Sequence, residues 1–569
     1  MKRIAIFLII ASACAGLGWT GYRGANPAEV TPLSKFVSAG PLLYLEAKDF
    51  SALLADWNAS PQKKQWSESS NFEVFSRSRL LLRLNGAGGQ FAAAAGLPPD
   101  MNFLSQVAGT RSALALYDIG NLQFLYVTYL PSAKSMQTTL WQTRAKFEPR
   151  SAGGVNFYVR RDPESQKEAA FAVSGDYLLL ATREDLLAAA LQLMAGSQDR
   201  TVESEPWWTQ SIASAGEAGD LRMVLNLAKI VPSSYFRTYW VQQNITDLGQ
   251  YSAEVSDLFR SSKQDREERV LIRKAAPDAA PSADGLEAAA DLVRLVPDGT
   301  GIYEAKAHPS ADSCFDLLET KLLAPHLGPA PASQIAPQVQ LTSGEAGAGS
   351  DLETRIDQSP VQRSITPPNT SGLKDLLAKT QILASLEVQS TERDTAGVFV
   401  RIHSAAVLVA PSDWNEATVQ SALAGFVRPG LTASELGVAW QQKSGYQELD
   451  GLWPLVASVR GKYLLISDDP NLMTAMLSNF DLKSDAQPAV FIAGFNHSHE
   501  RANFARFAGV VDRPNRAQFN VPGMERQPQF FSENMASLSS TLAAVGAERV
   551  TVRTDGAKVL QTVTYEWSQ

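Results

Sequence analysis

Ala170-Phe171-Ala172-Val173-Ser174-Gly175-Asp176-Tyr177-Leu178-Leu179-Leu180 reads as two short apolar strands around a tight turn. Far downstream, Leu455-Val456-Ala457-Ser458-Val459-Arg460-Gly461-Lys462-Tyr463-Leu464-Leu465-Ile466 repeats the arrangement. Gly175 answers Gly461 and Tyr177 answers Tyr463, and in each copy glycine supplies the positive φ that a two-residue hairpin loop needs. A helical pattern follows each hairpin. In the first copy Thr182 can cap it, with Asp185 three residues on and Gly196 at its end. In the second, Asp469 can cap and Pro470 takes the first helical position. Leu186-Leu187 and Leu472-Met473 then hold equivalent places.

Working outward, weaker pairs keep the same order. Tyr44-Leu45-Glu46-Ala47-Lys48 is echoed by Tyr303-Glu304-Ala305-Lys306, and Phe124 to Ser132 by Ser404 to Ser412. Leu221 to Leu225 parallels Ala489 to Ala493, and Arg269 to Arg273 parallels Arg549 to Arg553. Ordered self-similarity of this kind points to an internal duplication. Asp555-Gly556 marks a further hairpin, after which Val559, Val563, Tyr565 and Trp567 share one strand face. Helical patterns at Phe50 to Trp57, Met136 to Phe147 and Glu416 to Phe426 lie between strand pairs. The fold class expected is α+β: two related domains of antiparallel sheet with interspersed helices, preceded by an N-terminal signal or anchor helix. The boundaries are 1–23 for the signal or anchor, 36–275 for the first repeat, 276–286 for a Pro- and Ala-rich linker and 287–569 for the second repeat. Within the last, residues 328–372 are rich in Pro, Gly, Ser and Gln, poor in aromatics, and expected to be disordered.

The chain has 569 residues, 45% apolar and 19% charged, with a formal net charge of -8. An acidic balance speaks against nucleic acid as a partner, since phosphate binding needs surplus Lys and Arg on one face. The two cysteines, Cys14 and Cys314, cannot build a disulfide framework or a zinc site. Cys314 reads as a small buried apolar residue.

Met1-Lys2-Arg3 followed by the apolar run Ile4 to Ile10 and the small residues Ala11 to Gly16 admits three readings. One is a cleaved signal peptide with an Ala11-x-Ala13 site. Another is lipidation at Cys14, although Ala11 stands where that pattern has Leu. The third is an uncleaved anchor, in which Ile4 to Trp19 falls just short of the roughly 17–25 residues that span a bilayer, with Trp19 and Tyr22 at the interface. Each puts the rest of the chain outside the cytoplasm, in the cell envelope, attached to the membrane or free in the periplasm. The membrane is thus a partner through the N-terminus.

No catalytic signature of the G-x-S-x-G, H-E-x-x-H or P-loop type is present. Gly86-Ala87-Gly88-Gly89 reads as a loop or helix break, and Gly344 to Gly349 belongs to the polar tract. His497-Ser498-His499-Glu500 places two His at i and i+2, which on a strand share a face and could ligate zinc with a third group; no third ligand is visible, and no metal or cofactor is expected. Glu46 and Glu304 read as solvated strand residues paired with nearby Lys. Trp207-Trp208 after Pro206 is the best candidate for contact with a partner, set against a helix start that buries one ring.

The basic-apolar start, Gly40-Pro41-Leu42-Leu43-Tyr44, Asp49-Phe50-x-x-Leu53-x-x-x-Trp57-x-x-Ser60, Gly109 to Tyr117 and the Gly-x-Tyr-Leu-Leu hairpins together resemble a family of exported, membrane-anchored bacterial proteins of unknown function with duplicated domains. That resemblance implies location and architecture and carries no catalytic residues. The functional expectation is a non-enzymatic binding or scaffolding protein of the cell envelope, its partner another envelope protein or an apolar or polymeric ligand. Two alternatives stand beside it. One is a hydrolase with a site assembled from scattered Asp, Glu and His; the other is a lipid or lipoprotein carrier, which needs a deep apolar cavity against one curved sheet.

Overall fold

The computed structural model describes residues 31–69, 72, 76–77, 79–233, 247–276, 279–308, 318, 322, 371–393, 400–424, 440–449, 455–501 and 544–568. The N-terminal segment with Cys14, most of the 328–372 tract, Cys314 and His326 lie outside them. The chain divides into two compact units, one of residues 1–278, 393–400 and 491–569, the other of 279–392 and 401–490. The C-terminal hairpin therefore belongs with the N-terminal half of the chain. Architecture is α+β, with antiparallel sheet and interspersed helices. Among the described residues no helix is long and apolar enough to cross a membrane.

The strands in the N-terminal half are β1 (Leu43–Ala47), β2 (Ser112–Asp118), β3 (Gln123–Tyr129), β4 (Glu148–Ala152), β5 (Val155–Arg161), β6 (Glu168–Ser174), β7 (Tyr177–Ala181), β8 (Leu221–Leu225), β9 (Tyr251–Arg260) and β10 (Gln264–Arg273). The middle of the chain supplies β11 (Ile302–Ala307), β12 (Ala384–Arg393), β13 (Val400–Val409), β14 (Trp440–Gln442), β15 (Gln447–Leu449), β16 (Leu455–Arg460) and β17 (Tyr463–Ser467). β18 (Phe491–Asn496), β19 (Val545–Asp555) and β20 (Lys558–Trp567) follow.

In the first unit every pairing is antiparallel, in the order β4-β5-β6-β7-β3-β2-β1-β8-β9-β10-β20-β19-β18. Side chains alternate between the two faces, as strand geometry requires. On one face Ala113, Ala115, Leu125, Val127, Leu179 and Ala181 pack against Leu187 and Leu191 of the Glu184–Met194 helix and against Trp208. Among the described residues four α-helices precede β2: α1 (Phe50–Ala59), α2 (Pro61–Ser67), α3 (Arg79–Ala95) and α4 (Met101–Val107). On the other face Phe171, Leu178 and Leu180 pack with Ala94 and Ala95 of α3 and with Phe103 and Val107 of α4.

In the second unit β11 pairs with β12, and β13-β17-β16-β15-β14 forms a run. The hairpins singled out in the sequence have matching geometry. Ser174 pairs with Tyr177 and Arg460 with Tyr463; Gly175 has φ +55 and Gly461 φ +56. The strand beyond aligns identically, Tyr129 opposite Tyr177 and Val409 opposite Tyr463. Leu130 N–H donates to Asp176 C=O, and Ala410 N–H to Lys462 C=O. The helices that follow begin at Glu184 and Pro470.

Several local expectations need correcting. Thr182 does not cap its helix: its hydroxyl accepts from Phe124 N–H and donates to Leu122 C=O, tying β7 to β3. Met136 to Phe147 is not one helix, because Thr138 accepts from Trp141 N–H and starts a new turn at Thr139. The proposed linker ends early, since Ser282 caps a helix running Ala283–Leu292 by accepting from Gly285 N–H. Gly86 to Gly89 form no loop. They lie inside α3, where the Ala92 to Ala95 run and the packing of Phe91, Ala94 and Ala95 outweigh about 1 kcal/mol of helix propensity lost per glycine.

Candidate functional site: an apolar cavity in the first unit

Phe50, Leu53, Leu54 and Trp57 recur at i, i+3, i+4 and i+7, the spacing of one helix face. Asp49 fixes the start of α1 by accepting from Ala52 N–H at 2.9 Å, and Ser60 accepts from Lys63 N–H at 3.1 Å to begin α2. An apolar stripe of this kind normally seals against a core. Here none of its residues is fully buried, and all four line a cavity of about 1330 Å³.

The sheet forms one wall through Leu45, Leu114, Phe124, Tyr126, Leu180 and Leu221. α3 contributes Ala87, Gly88 and Phe91, and α4 contributes Met101, Phe103, Leu104 and Val107. Asp100 holds the start of α4 by accepting from Phe103 N–H at 2.8 Å. Rings meet edge to face, Phe91 on Phe103 at 6.0 Å and Phe50 on Tyr126 at 6.3 Å. The Tyr126 hydroxyl donates to Val107 C=O at 3.0 Å, which ties α4 to β3 and leaves the ring in the wall; burial pushes this phenol up. The space is partly open to solvent and walled mainly by apolar side chains, and its volume exceeds the roughly 300–1,000 Å³ of ordinary small-molecule sites.

Apart from Gln90 and Ser112, the polar lining is gathered at one end. It comes from the β2–β3 turn (Asn121, Gln123), the β5–β6 loop (Ser165 to Lys167, with Glu168) and the segment after β7 (Thr182 to Asp185). Lys167 Nζ donates to Asn121 Oδ1 at 3.1 Å, Arg183 to Gln123 Oε1 at 3.0 Å, and Glu184 N–H to Glu168 Oε2 at 2.9 Å. Two non-glycine residues in the left-handed region, Leu122 (φ +48) and Gln166 (φ +56), stand at this same mouth. Each such residue stores about 1–2 kcal/mol, and strain of that kind gathers where a ligand is held.

Trp208 sits in the core, 7% exposed, edge-on to Tyr44 at 4.9 Å. Trp207 is half-buried and donates from Nε1 to Glu205 at 2.7 Å. His497 lies 3.6 Å from Glu548, and His499 2.9 Å from Glu500. Among the described residues no group of three His, Cys, Asp or Glu could hold a metal ion. Glu46 is not paired with Lys48: it accepts from Arg111 and from the buried Tyr44 hydroxyl, both at 2.6 Å, because Arg111 lies two residues before Ala113, the cross-strand neighbour of Glu46. Glu304 does pair with Lys306, at 2.7 Å.

A second cluster lies on β9 and β10. Arg269 reaches Glu267 at 2.7 Å and Glu254 at 3.9 Å, while Ser256 donates to Glu267 at 2.6 Å. Burial pushes Glu254 up against the opposing pull of Arg269. The cluster satisfies its own charges as a structural ion group.

In the sequence Phe50, Leu53 and Trp57 form a helical pattern that does not by itself identify a wall. Their i, i+3, i+7 spacing without an evident packing partner was the available signal. No family model and no curated protein matches the sequence. A solved structure, "Structure of crystal form I of TP0453", aligns at 11% identity over 44% of this chain and 81% of that chain with a TM-score of 0.24. A likeness at that level carries no argument.

Proposed function

We propose that this chain is a non-enzymatic binding protein of the cell envelope, exported and held at the membrane by its N-terminus, that carries a large apolar ligand inside its first unit. The cavity bounded by α1, α3, α4 and the sheet is the observation that supports the reading. Each methylene moved from water into such a space contributes about 0.8 kcal/mol, so a long hydrocarbon chain gains affinity from length alone. The basic-apolar start supports export, and the matched hairpin registers support descent of both units from one ancestral repeat. Trp207 remains a candidate for contact with a second envelope protein.

The test is extraction of the full-length protein, purified from its native envelope without detergent exchange, followed by mass spectrometry of the organic phase. A stoichiometric hydrophobic compound that is lost in Ala87→Trp, which fills the cavity from α3, is the expected result. A protein that comes away empty and leaves the neutral fluorophore N-phenylnaphthylamine dark refutes the proposal. Cell fractionation tests the export half independently.

A further inference from the structure

All the charged groups and most of the polar ones around the cavity stand at one mouth; away from it the walls are mainly apolar, with Gln90 exposed on α3 and the Ser112 hydroxyl already bonded to Thr128. Such segregation matches a molecule with one polar end. A pure hydrocarbon would gain nothing from the mouth, and a ligand polar along its length would leave its groups unpaired in the interior, at a cost of several kcal/mol each.

The charges at that mouth narrow the polar end. Arg183 is engaged by Asp185, and Arg161 by Glu168. Arg150 stands 3.5 Å from Glu184. Lys167 donates to Asn121 and adds to the hydrogen bonds from Asn121 and Gly120 that hold the Asp118 carboxyl below its usual range, against the upward pull of partial burial. Each cation already faces an acid or an amide oxygen. A net-charged head would have to break one of these pairs, whereas an uncharged or zwitterionic head can lie across them, offering a donor to one side and an acceptor to the other.

We infer that the ligand is a long-chain amphiphile with a net-neutral head, seated tail-first beneath α1, α3 and α4 with its head among Asn121, Gln123, Lys167 and Arg183. The inference rests on the cavity being a binding site and adds the ligand's class and orientation.

The experiment is displacement of N-phenylnaphthylamine from the full chain by phosphatidylethanolamine and by phosphatidylglycerol with identical acyl chains, with hexadecane as the headless control. Phosphatidylethanolamine is expected to displace at a concentration at least about threefold lower than phosphatidylglycerol at low ionic strength, with the gap closing as salt is added. In Asp185→Asn, whose side chain is well exposed so that folding is spared, Arg183 is released and the gap is expected to shrink or invert. Equal or tighter binding of phosphatidylglycerol by the unaltered protein overturns the inference, as does hexadecane matching both lipids. Fluorophore that never binds refutes the cavity as a site, a distinct failure.

Discussion

Arg222 and Asp257 stand directly opposite each other on β8 and β9 and meet in a two-pronged ion pair, Nε to Oδ1 and the terminal nitrogen to Oδ2 both at 2.8 Å. Asp257 is 3% exposed and also accepts from Gly219 N–H at 2.9 Å. Gly219 cannot give way, because a Cβ there would lie 2.4 Å from Leu258 O. Removing the acid strands a half-buried guanidinium and a backbone donor together. Asp257→Ala is expected to cost about 3–5 kcal/mol, read as a lower urea midpoint at unchanged slope. A loss under 1 kcal/mol would show that water replaces the pair.

Asp265 gives the first unit a pH dependence of definite sign. Burial pushes its carboxyl up to about 6, against the pull of Arg260 and the Ser261 N–H. The native state therefore holds this proton at a pH where the unfolded chain has released it. Its contribution is fully present below the unfolded value near 3.8 and is lost as pH rises through about 6. Asp265→Asn keeps an acceptor for Ser261 and removes the titration. The variant is expected to gain about 1–3 kcal/mol at pH 7 relative to the parent, and nothing at pH 3. Thermal melts across that interval decide it; equal gains at both ends would rule the titration out.

Gly175 and Gly461 test the likeness of the two hairpins. Each is the first of two loop residues, with φ +55 and +56, and each sits between cross-strand pairs of identical register. A Cβ at Gly175 meets nothing within 4 Å, and one at Gly461 meets Asp413 Oδ1 at 3.4 Å. Sterics therefore add little, and backbone strain sets the cost. Gly175→Ala and Gly461→Ala are expected to lose about 1–2 kcal/mol each, by similar amounts, in denaturant melts. A large inequality would mean that the turns differ in kind.

Those hairpins were legible because positive-φ glycine and alternating apolar residues are local signals. The C-terminal hairpin's membership in the first unit was not legible: Arg269 faces Gln561 across nearly three hundred residues, and no local pattern encodes such pairing. Thr182 looked like a cap because Asp185 follows at the right spacing, yet a tertiary acceptor at Leu122 claimed its hydroxyl. The cavity is not legible in the sequence for a related reason. The Phe50, Leu53, Trp57 spacing shows that a helix has an apolar face and says nothing of whether protein or open space meets it. The glycine run misled because helix propensity is weak beside the packing of Phe91 and Ala94.

The same glycines carry the last expectation. Gly86 and Gly89 are exposed in α3, and a Cβ on either would meet nothing within 4 Å. Neither is needed for close packing, and neither has positive φ, so each only weakens the helix. α3 nevertheless roofs the cavity through Ala87 and Phe91. A roof that opens at low cost lets a bulky apolar ligand pass without unfolding the sheet beneath. Gly86→Ala and Gly89→Ala are expected to stabilise α3 by about 1 kcal/mol each, visible as slower amide exchange along residues 80–95. They are also expected to slow release of N-phenylnaphthylamine severalfold while leaving its equilibrium affinity nearly unchanged, because an opening step alters both directions alike. Slower exchange with unaltered release kinetics would mean that ligand passes by another route.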